Sequence, residues 1–309
     1  MAIDRKKISK GIEHRPPRVI IYGGASVGKT KFAIGAPNVF LIDADRGSHK
    51  FDTTRVEPET WTETKEWIAA VESGDIKCDT LVLDSVTELE NKMHKELFGD
   101  VGIDSWEKGF GRGDTHALMH WREMLSSLER VWAKGKGIVL VAHAQIRKYE
   151  DPIGGSFERF EIAARPKLSG ALKAWSDYLL FAKDDVAVQA TKSGINKGVS
   201  TGVRSIYTRQ SAAYDAKARG TNVFPEKMLL SWGDFMNAVK HDEALVERVE
   251  EVKKEIATML AEIDDADLNQ KVDKYVRDNP NMVTEALNSV SARLEKHRAE
   301  KSAQQTQNA

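Results

Sequence analysis

Residues 18–30 read Arg-Val-Ile-Ile-Tyr-Gly-Gly-Ala-Ser-Val-Gly-Lys-Thr. Val19–Tyr22 is a short, β-prone apolar run. It leads into Gly23, Gly24, Ala25, Ser26, Val27, Gly28, Lys29 and Thr30, which satisfy G-x-x-x-x-G-K-[ST] at every fixed position. The reading is a strand, a glycine-rich loop and a helix starting near Gly28. The glycines let the backbone curl so that several N–H groups converge on one centre, an anion nest for phosphates. Lys29 is placed to reach the β- and γ-phosphates, and the Thr30 hydroxyl to bind Mg²⁺. The expected cofactors are therefore ATP and Mg²⁺.

The chain around this loop has 309 residues, room for one large domain or two modest ones, with 41% hydrophobic and 30% charged side chains. No apolar run approaches the ~20 residues of a membrane span. The polar, basic stretch before Arg18 has no apolar core of the secretory kind. Cys78 is the single cysteine, which leaves no intrachain disulfide or cysteine-rich metal site and fits a reducing cytoplasm. The net charge of −1 argues for no class of partner. It is uneven, however: residues 241–309 carry 10 basic and 15 acidic side chains, an acidic tail behind a mildly basic body.

Moving outward, Lys29–Ile34 continues as a helix closed by Gly35–Asn38. Val39–Ile42, Thr80–Asp84 and Gly137–Ala142 are further apolar strands, and Thr62–Ser73, Val86–Phe98 and Thr115–Ala133 are helices between them. Such alternation predicts an α/β fold with a mainly parallel sheet covered on both faces. Ligands in these sheets bind at the carboxyl ends of the strands, where Lys29, Asp45, Asp84 and Gln145 all fall. Beyond Gln145 the pattern changes. Arg147–Gly170 shows no period and reads as a loop. Tyr178–Phe181, Val186–Ala190, Arg204–Thr208 and Lys227–Leu230 read as antiparallel strands extending the sheet, and the chain is helical from His241. The expected organisation is an arm (1–17), an ATPase core (18–240), a small helical region (241–301) and a disordered polar tail (302–309).

Asp84, ending a strand after a phosphate loop, suits the Mg²⁺ shell; the competing use is a helix cap, which Ser85 could supply. Asp45 suits a base that orients and deprotonates the attacking water, with Asp43 as competitor. Gln145, ranked ahead of His143, suits an amide that senses the γ-phosphate. Two stretches interleave cations with rings in the manner of single-strand binders: Trp106, Lys108, Phe110 and Arg112, and Arg147, Lys148, Phe157, Arg159, Phe160, Arg165 and Lys167.

This order of parts resembles the RecA-type ATPase core over about residues 15–240, and is most similar to the phage-encoded RecA-like nucleotide-binding proteins, some of them single-strand annealing recombinases. Ile42-Asp43-Ala44-Asp45 is similar to that family's Ile-Asp-Ala-Glu, with a shorter Asp45 where the family has its catalytic Glu. Gln145-Ile146-Arg147-Lys148 resembles its Gln-Ile-Arg-x-Lys without the spacer, and Gly113-Asp114-Thr115-His116 resembles the end of its first DNA-binding loop. The resemblance implies a DNA-stimulated ATPase that binds single-stranded DNA in recombination, annealing or replication. It implies a homo-oligomer with ATP between subunits, and Lys217 and Arg219 reaching a neighbour's γ-phosphate. If phage-encoded, its setting is the bacterial host cytoplasm. The helical C-terminal region is the expected dock for a single-strand-binding or other replication protein. Two rivals share these motifs: a helicase-type motor or loader, and a nucleotide-switched interaction protein with weak hydrolysis.

Overall fold

A computed structural model describes residues 13–106, 109–151, 154–190, 196–221, 224–263 and 266–307. The strands are β1 (Arg18–Gly23), β2 (Val39–Asp43), β3 (Thr54–Val56), β4 (Thr80–Asp84), β5 (Gly137–Asp151), β6 (Gly155–Ile162), β7 (Tyr178–Ala190), β8 (Asn196–Tyr207), β9 (Lys217–Ala218) and β10 (Lys227–Leu229). The helices are α1 (Lys29–Ile34), α2 (Trp61–Ser73), α3 (Val86–Phe98), α4 (Arg112–Ala133), α5 (Pro166–Trp175), α6 (Trp232–Ile263), α7 (Ala266–Asp278) and α8 (Val283–Gln307). The chain folds into two units.

The first unit covers His14–Arg219 and Pro225–Phe235. β1 is buried along its whole length, so its sequence is a continuous apolar run rather than an alternating one. It lies mid-sheet, in the order β10-β8-β7-β1-β5-β4-β2-β3. Pairing is parallel from β7 through to β3. β8 and β10 then add in antiparallel fashion, and β6 and β9 pair antiparallel with β5 and β7. On one face of the sheet, Ile20, Tyr22, Leu83 and Leu140 pack into a core with Trp61, Trp121 and Leu128. The Trp61 and Trp121 rings stack at 5.8 Å. On the other face, Phe32 of α1 meets Trp232 and Phe235 from the start of α6. Caps mark the helix starts: the Thr60 hydroxyl accepts from the Glu63 amide at 3.1 Å, and the Ser85 hydroxyl from Glu88 at 3.3 Å. Each such cap is worth about 1 kcal/mol.

The register places the site. Gly23, where β1 ends, is level with His143 of β5 and Ala182 of β7. A side chain at Gly23 would overlap the Ala182 carbonyl, so only glycine lets the chain leave the sheet there. β5 and β7 both run on past that level and return as β6 and β8, forming two hairpins that project beyond the phosphate-loop edge.

Several expectations change. Arg147–Gly170 is a hairpin strand followed by α5, not a loop. Tyr178–Phe181 and Val186–Ala190 belong to one strand, which joins β1 in parallel rather than antiparallel fashion. β3 and β9 were not anticipated. α6 starts at Trp232, ahead of His241, and α8 runs to Gln307 through the stretch expected to be a disordered tail.

The described part of the second unit holds residues 13, 220, 221, 224, 236–263 and 266–307. Val249, Val252, Ile256 and Leu260 of α6 pack with Val276 of α7 and Val283, Ala286, Val290 and Leu294 of α8. That spacing follows the helical period that places these side chains on one face. Among the described residues, no helix is long and apolar enough to cross a membrane.

Candidate nucleotide site and neighbouring surfaces

The phosphate loop leaves β1 at Gly23 and enters α1 after Gly28, which has a φ of 109°. Ser26 also has a positive φ, 61°. These turns fold the loop over Lys29, which is only 6% exposed. Its ammonium donates to the carbonyls of Gly23 at 3.1 Å and Gly24 at 2.8 Å. Burial pushes its pKa down, while Asp84 and Asp45 act the other way. The Thr30 hydroxyl donates to Asp84 Oδ2 at 2.5 Å. Burial raises the Asp84 carboxyl to about 6 against the bond from Thr30, with Asp45 and Asp43 adding to the rise.

A hydroxyl and a carboxylate meeting beside a phosphate nest form a hard-oxygen pair that suits Mg²⁺, which takes one or two carboxylates plus phosphate oxygens. Among the described residues, no cluster of three or more His, Cys, Asp or Glu side chains forms a metal site. A cation here would therefore depend on Thr30, Asp84 and the nucleotide's own oxygens.

Beside this pair lies a second polar group. Asp45 Oδ1 accepts from the Ser85 hydroxyl at 2.8 Å, and Oδ2 lies 2.9 Å from His143 Nε2. Although burial opposes it, these partners hold the Asp45 carboxyl below its usual range. The register explains the meeting: the β5 strand brings His143 level with Gly23, and the backbone N–H groups of Ala44 and Asp45 bond to the Asp84 carbonyl. His143 is positioned in turn by its own N–H, which donates to the Thr87 hydroxyl at 3.1 Å. Asp45 and His143 line a groove of about 930 Å³. The competitor Asp43 is buried, and its carboxylate accepts from Gly47 N, Ser48 N and Ser48 Oγ, so it serves as the cap of that turn.

Gln145 is not at the end of a strand, because β5 continues to Asp151. Its amide donates to the Ile162 and Ala164 carbonyls, which ties it to the segment after β6. His143, ranked second in the sequence, also lies inside β5, but it is level with the end of β1 and is the group that reaches Asp45. Ser85 both caps α3 and orients Asp45, a double use that sequence reading missed. The only signal for it was its position after the strand-end Asp84.

The cations and rings of the two candidate DNA stretches separate into committed and exposed groups. Arg159 is 9% exposed; it pairs with Glu161 at 2.5 Å and lies over the Tyr149 ring at 4.0 Å. Arg165 pairs with Asp104 at 2.6 Å and Asp114 at 2.5 Å, and these partners raise its pKa. Phe160 stacks on Phe181 at 5.1 Å, and Trp106 on His116 at 4.6 Å. Arg147 donates to the Ala164 carbonyl. These five are engaged with partners inside the chain, which leaves them less available to a strand than the sequence suggests. Phe110 is 100% exposed, Arg112 and Lys148 are exposed, and Phe157 is half-buried against Tyr149. Lys167 is exposed, with its ammonium on the Thr115 hydroxyl. Lys108 lies outside the described residues.

Lys217 and Arg219 lie at the opposite end of the sheet from the phosphate loop, since their partners flank the starts of β1 and β7. The Lys217 ammonium donates to the Lys173 and Ser176 carbonyls and so closes the C-terminus of α5. Arg219 pairs with Asp177 at 2.9 Å, the carboxylate that also holds Arg18. Within one chain neither cation is directed at the phosphate loop.

The family profile of an AAA domain matches residues 15–220, a span that contains the phosphate loop, Asp45, Asp84 and His143. No curated protein matches the chain.

Proposed function

The chain belongs to the AAA-domain family, and from that premise we propose that it is a RecA-like ATPase of the phage-encoded kind that binds and hydrolyses MgATP and couples it to single-stranded DNA in recombination, annealing or replication. The observation that carries the nucleotide reading is the Thr30–Asp84 bond of 2.5 Å, with Lys29 and Asp45 grouped beside it. Backbone N–H groups of the phosphate loop cradle the phosphates. Lys29 exchanges its two carbonyl partners for phosphate oxygens, and Thr30 and Asp84 hold the cation. The cation, when bound, neutralises charge developing on the phosphoryl group. Asp45 keeps lone pairs for a water beyond those used by Ser85 and His143, and its depressed pKa keeps it ionised, as a base must be. The same depression makes it a weak base, so the turnover expected is slow.

For DNA, the reading rests on the β5–β6 hairpin, which projects past the phosphate-loop edge and exposes Lys148, Ile146 and Tyr149. Cations and rings of this kind track phosphates and stack on bases. ATP turnover measured with single-stranded DNA, duplex DNA and neither tests the proposal. Stimulation by the single strand alone is the expected result. Duplex-driven turnover with strand displacement would instead favour a helicase-type motor.

One observation favours a second reading. Arg159, Arg165, Phe160 and Trp106 are committed to intramolecular partners, which thins the DNA surface. A nucleotide-switched interaction protein needs no such surface. Turnover indifferent to both kinds of DNA would support it.

A further inference from the structure

We propose that Arg204 is a second phosphate-binding cation of the nucleotide site, supplied in cis by β8. Sequence reading gave it no role, because it lies in a β-prone run far along the chain from the phosphate loop. The fold brings it back. A methyl group in place of the Gly28 hydrogen would stand 3.5 Å from Arg204 Nη1 and 3.3 Å from Leu230 Cδ2, so the guanidinium lies beside Gly28, where the loop enters α1.

Its placement is built by the neighbouring strands. Arg204 pairs with Asp184 of β7, and the ladder shifts register between Asp184 and Val186. Such a bulge re-aims the side chains beside it. Asp184 Oδ1 accepts from Arg204 Nε at 3.2 Å. The next residue, Asp185, is held by Ser205, Tyr207 and Lys227. The Leu230 N–H bonds to the Arg204 carbonyl at 2.9 Å and fixes the backbone. Among the described residues, Nε is the one Arg204 nitrogen with a hydrogen-bond partner, so the two terminal nitrogens remain for a ligand. The side chain is 51% exposed, and can move between Asp184 and an oxyanion at little cost.

The charge balance gives a reason for a second cation. A nucleoside triphosphate brings several negative charges to a site where Asp84 and Asp45 already flank Lys29. Lys29 is one cation against two carboxylates and a phosphate chain. A guanidinium offers two parallel donors to phosphate oxygens from the side of the loop away from those carboxylates, since β7 and β8 lie across β1 from β4 and β2.

The inference rests on the proposed phosphate loop, and the test separates the two. Binding of MgATP and of inorganic tripolyphosphate is measured on the full chain for wild type, Arg204→Ala, Arg204→Lys and Lys29→Ala, with thermal melts confirming the fold. Arg204→Ala is expected to weaken both ligands roughly ten- to hundredfold, the loss of one charge-assisted hydrogen bond, and Arg204→Lys to recover part of it. Mixing Arg204→Ala with Lys29→Ala protein should restore no binding, because both residues serve the same chain's site. Unchanged affinity in Arg204→Ala beside a loss in Lys29→Ala overturns the role of Arg204 and keeps the loop. Loss of MgATP affinity without loss of tripolyphosphate affinity overturns it in favour of a base or ribose interaction. Restoration on mixing overturns the cis assignment. Wild-type affinity in Lys29→Ala instead overturns the loop reading itself.

Discussion

Replacing Asp84 by Asn should stabilise the metal-free, nucleotide-free protein at neutral pH while weakening the proposed Mg²⁺ site. Burial holds this carboxyl at about 6 against an ordinary value of 3.8. A rise of that size means that ionising the group in the fold costs about 3 kcal/mol at pH 7. The sign follows from the raised pKa. The neutral carboxyl favours the fold fully below pH 3.8, and that advantage is lost as pH rises through about 6. Asn carries no ionisation cost and can still accept from the Thr30 hydroxyl, but its buried amide N–H groups need partners, at a cost of about 1–2 kcal/mol. The net gain at pH 7 is therefore about 1–2 kcal/mol, or about 2–8 °C in Tm for a domain of this size. At pH 4.5 only about 1 kcal/mol of the wild-type cost remains, so the variant loses its advantage. The assay is a thermal melt of both proteins in chelator at pH 4.5 and 7. If the difference between variant and wild type fails to grow in the variant's favour between these two pH values, the account of Asp84 as a buried, unwillingly ionised carboxylate is wrong.

Other expectations follow from the same geometry. Asp45→Asn should leave ATP affinity within a few-fold and slow turnover by roughly 10²-fold or more, and His143→Ala should slow it too by releasing Asp45 Oδ2; single-turnover kinetics checks both. Lys148→Ala with Arg112→Ala should lower the log–log salt slope of single-strand binding by about 0.7 for each phosphate no longer neutralised, read by fluorescence anisotropy. Arg159→Ala should instead unfold the protein more easily, by about 1–3 kcal/mol, because it removes the nearer of the two cations on Glu161 and leaves Lys173 at 4.0 Å; denaturant titration distinguishes this from a binding effect. Gly23→Ala should cost several kcal/mol or prevent folding, since the new methyl meets the Ala182 carbonyl.

The centre of the sheet was legible because burial on two faces leaves little freedom of composition. Val19–Tyr22, Thr80–Asp84 and Gly137–Ala142 could hardly be anything but interior strands, and their order with the intervening helices carried the fold class. The start of α3 was legible because Ser85 declares a cap, whereas the Thr60 cap of α2 was not read and that helix was expected only from Thr62. β3 was not, being three residues long at the sheet edge. The β5–β6 hairpin was hidden for a different reason. Phe157–Glu161 mixes rings and charges as a solvated loop does, and what makes it a strand is pairing with Gln145–Tyr149 together with the Arg159, Glu161, Lys173 and Asp215 ion network. That network joins residues far apart in the chain. The same limit explains the site. Asp84 and Thr30 are motif positions and Asp45 was already preferred to Asp43, whereas the meeting of Asp45 with Ser85 and His143, and the tie of Gln145 to the segment after β6, depend on strand register.

The most direct test of the central claim is a calorimetric titration of ATP into the intact protein, with and without Mg²⁺, on wild type and Lys29→Ala. The account predicts saturable, Mg²⁺-dependent binding of one nucleotide per chain, lost in Lys29→Ala because the loop's own cation is gone. Absence of saturable binding to wild type, or binding that Lys29→Ala leaves unchanged, would contradict it.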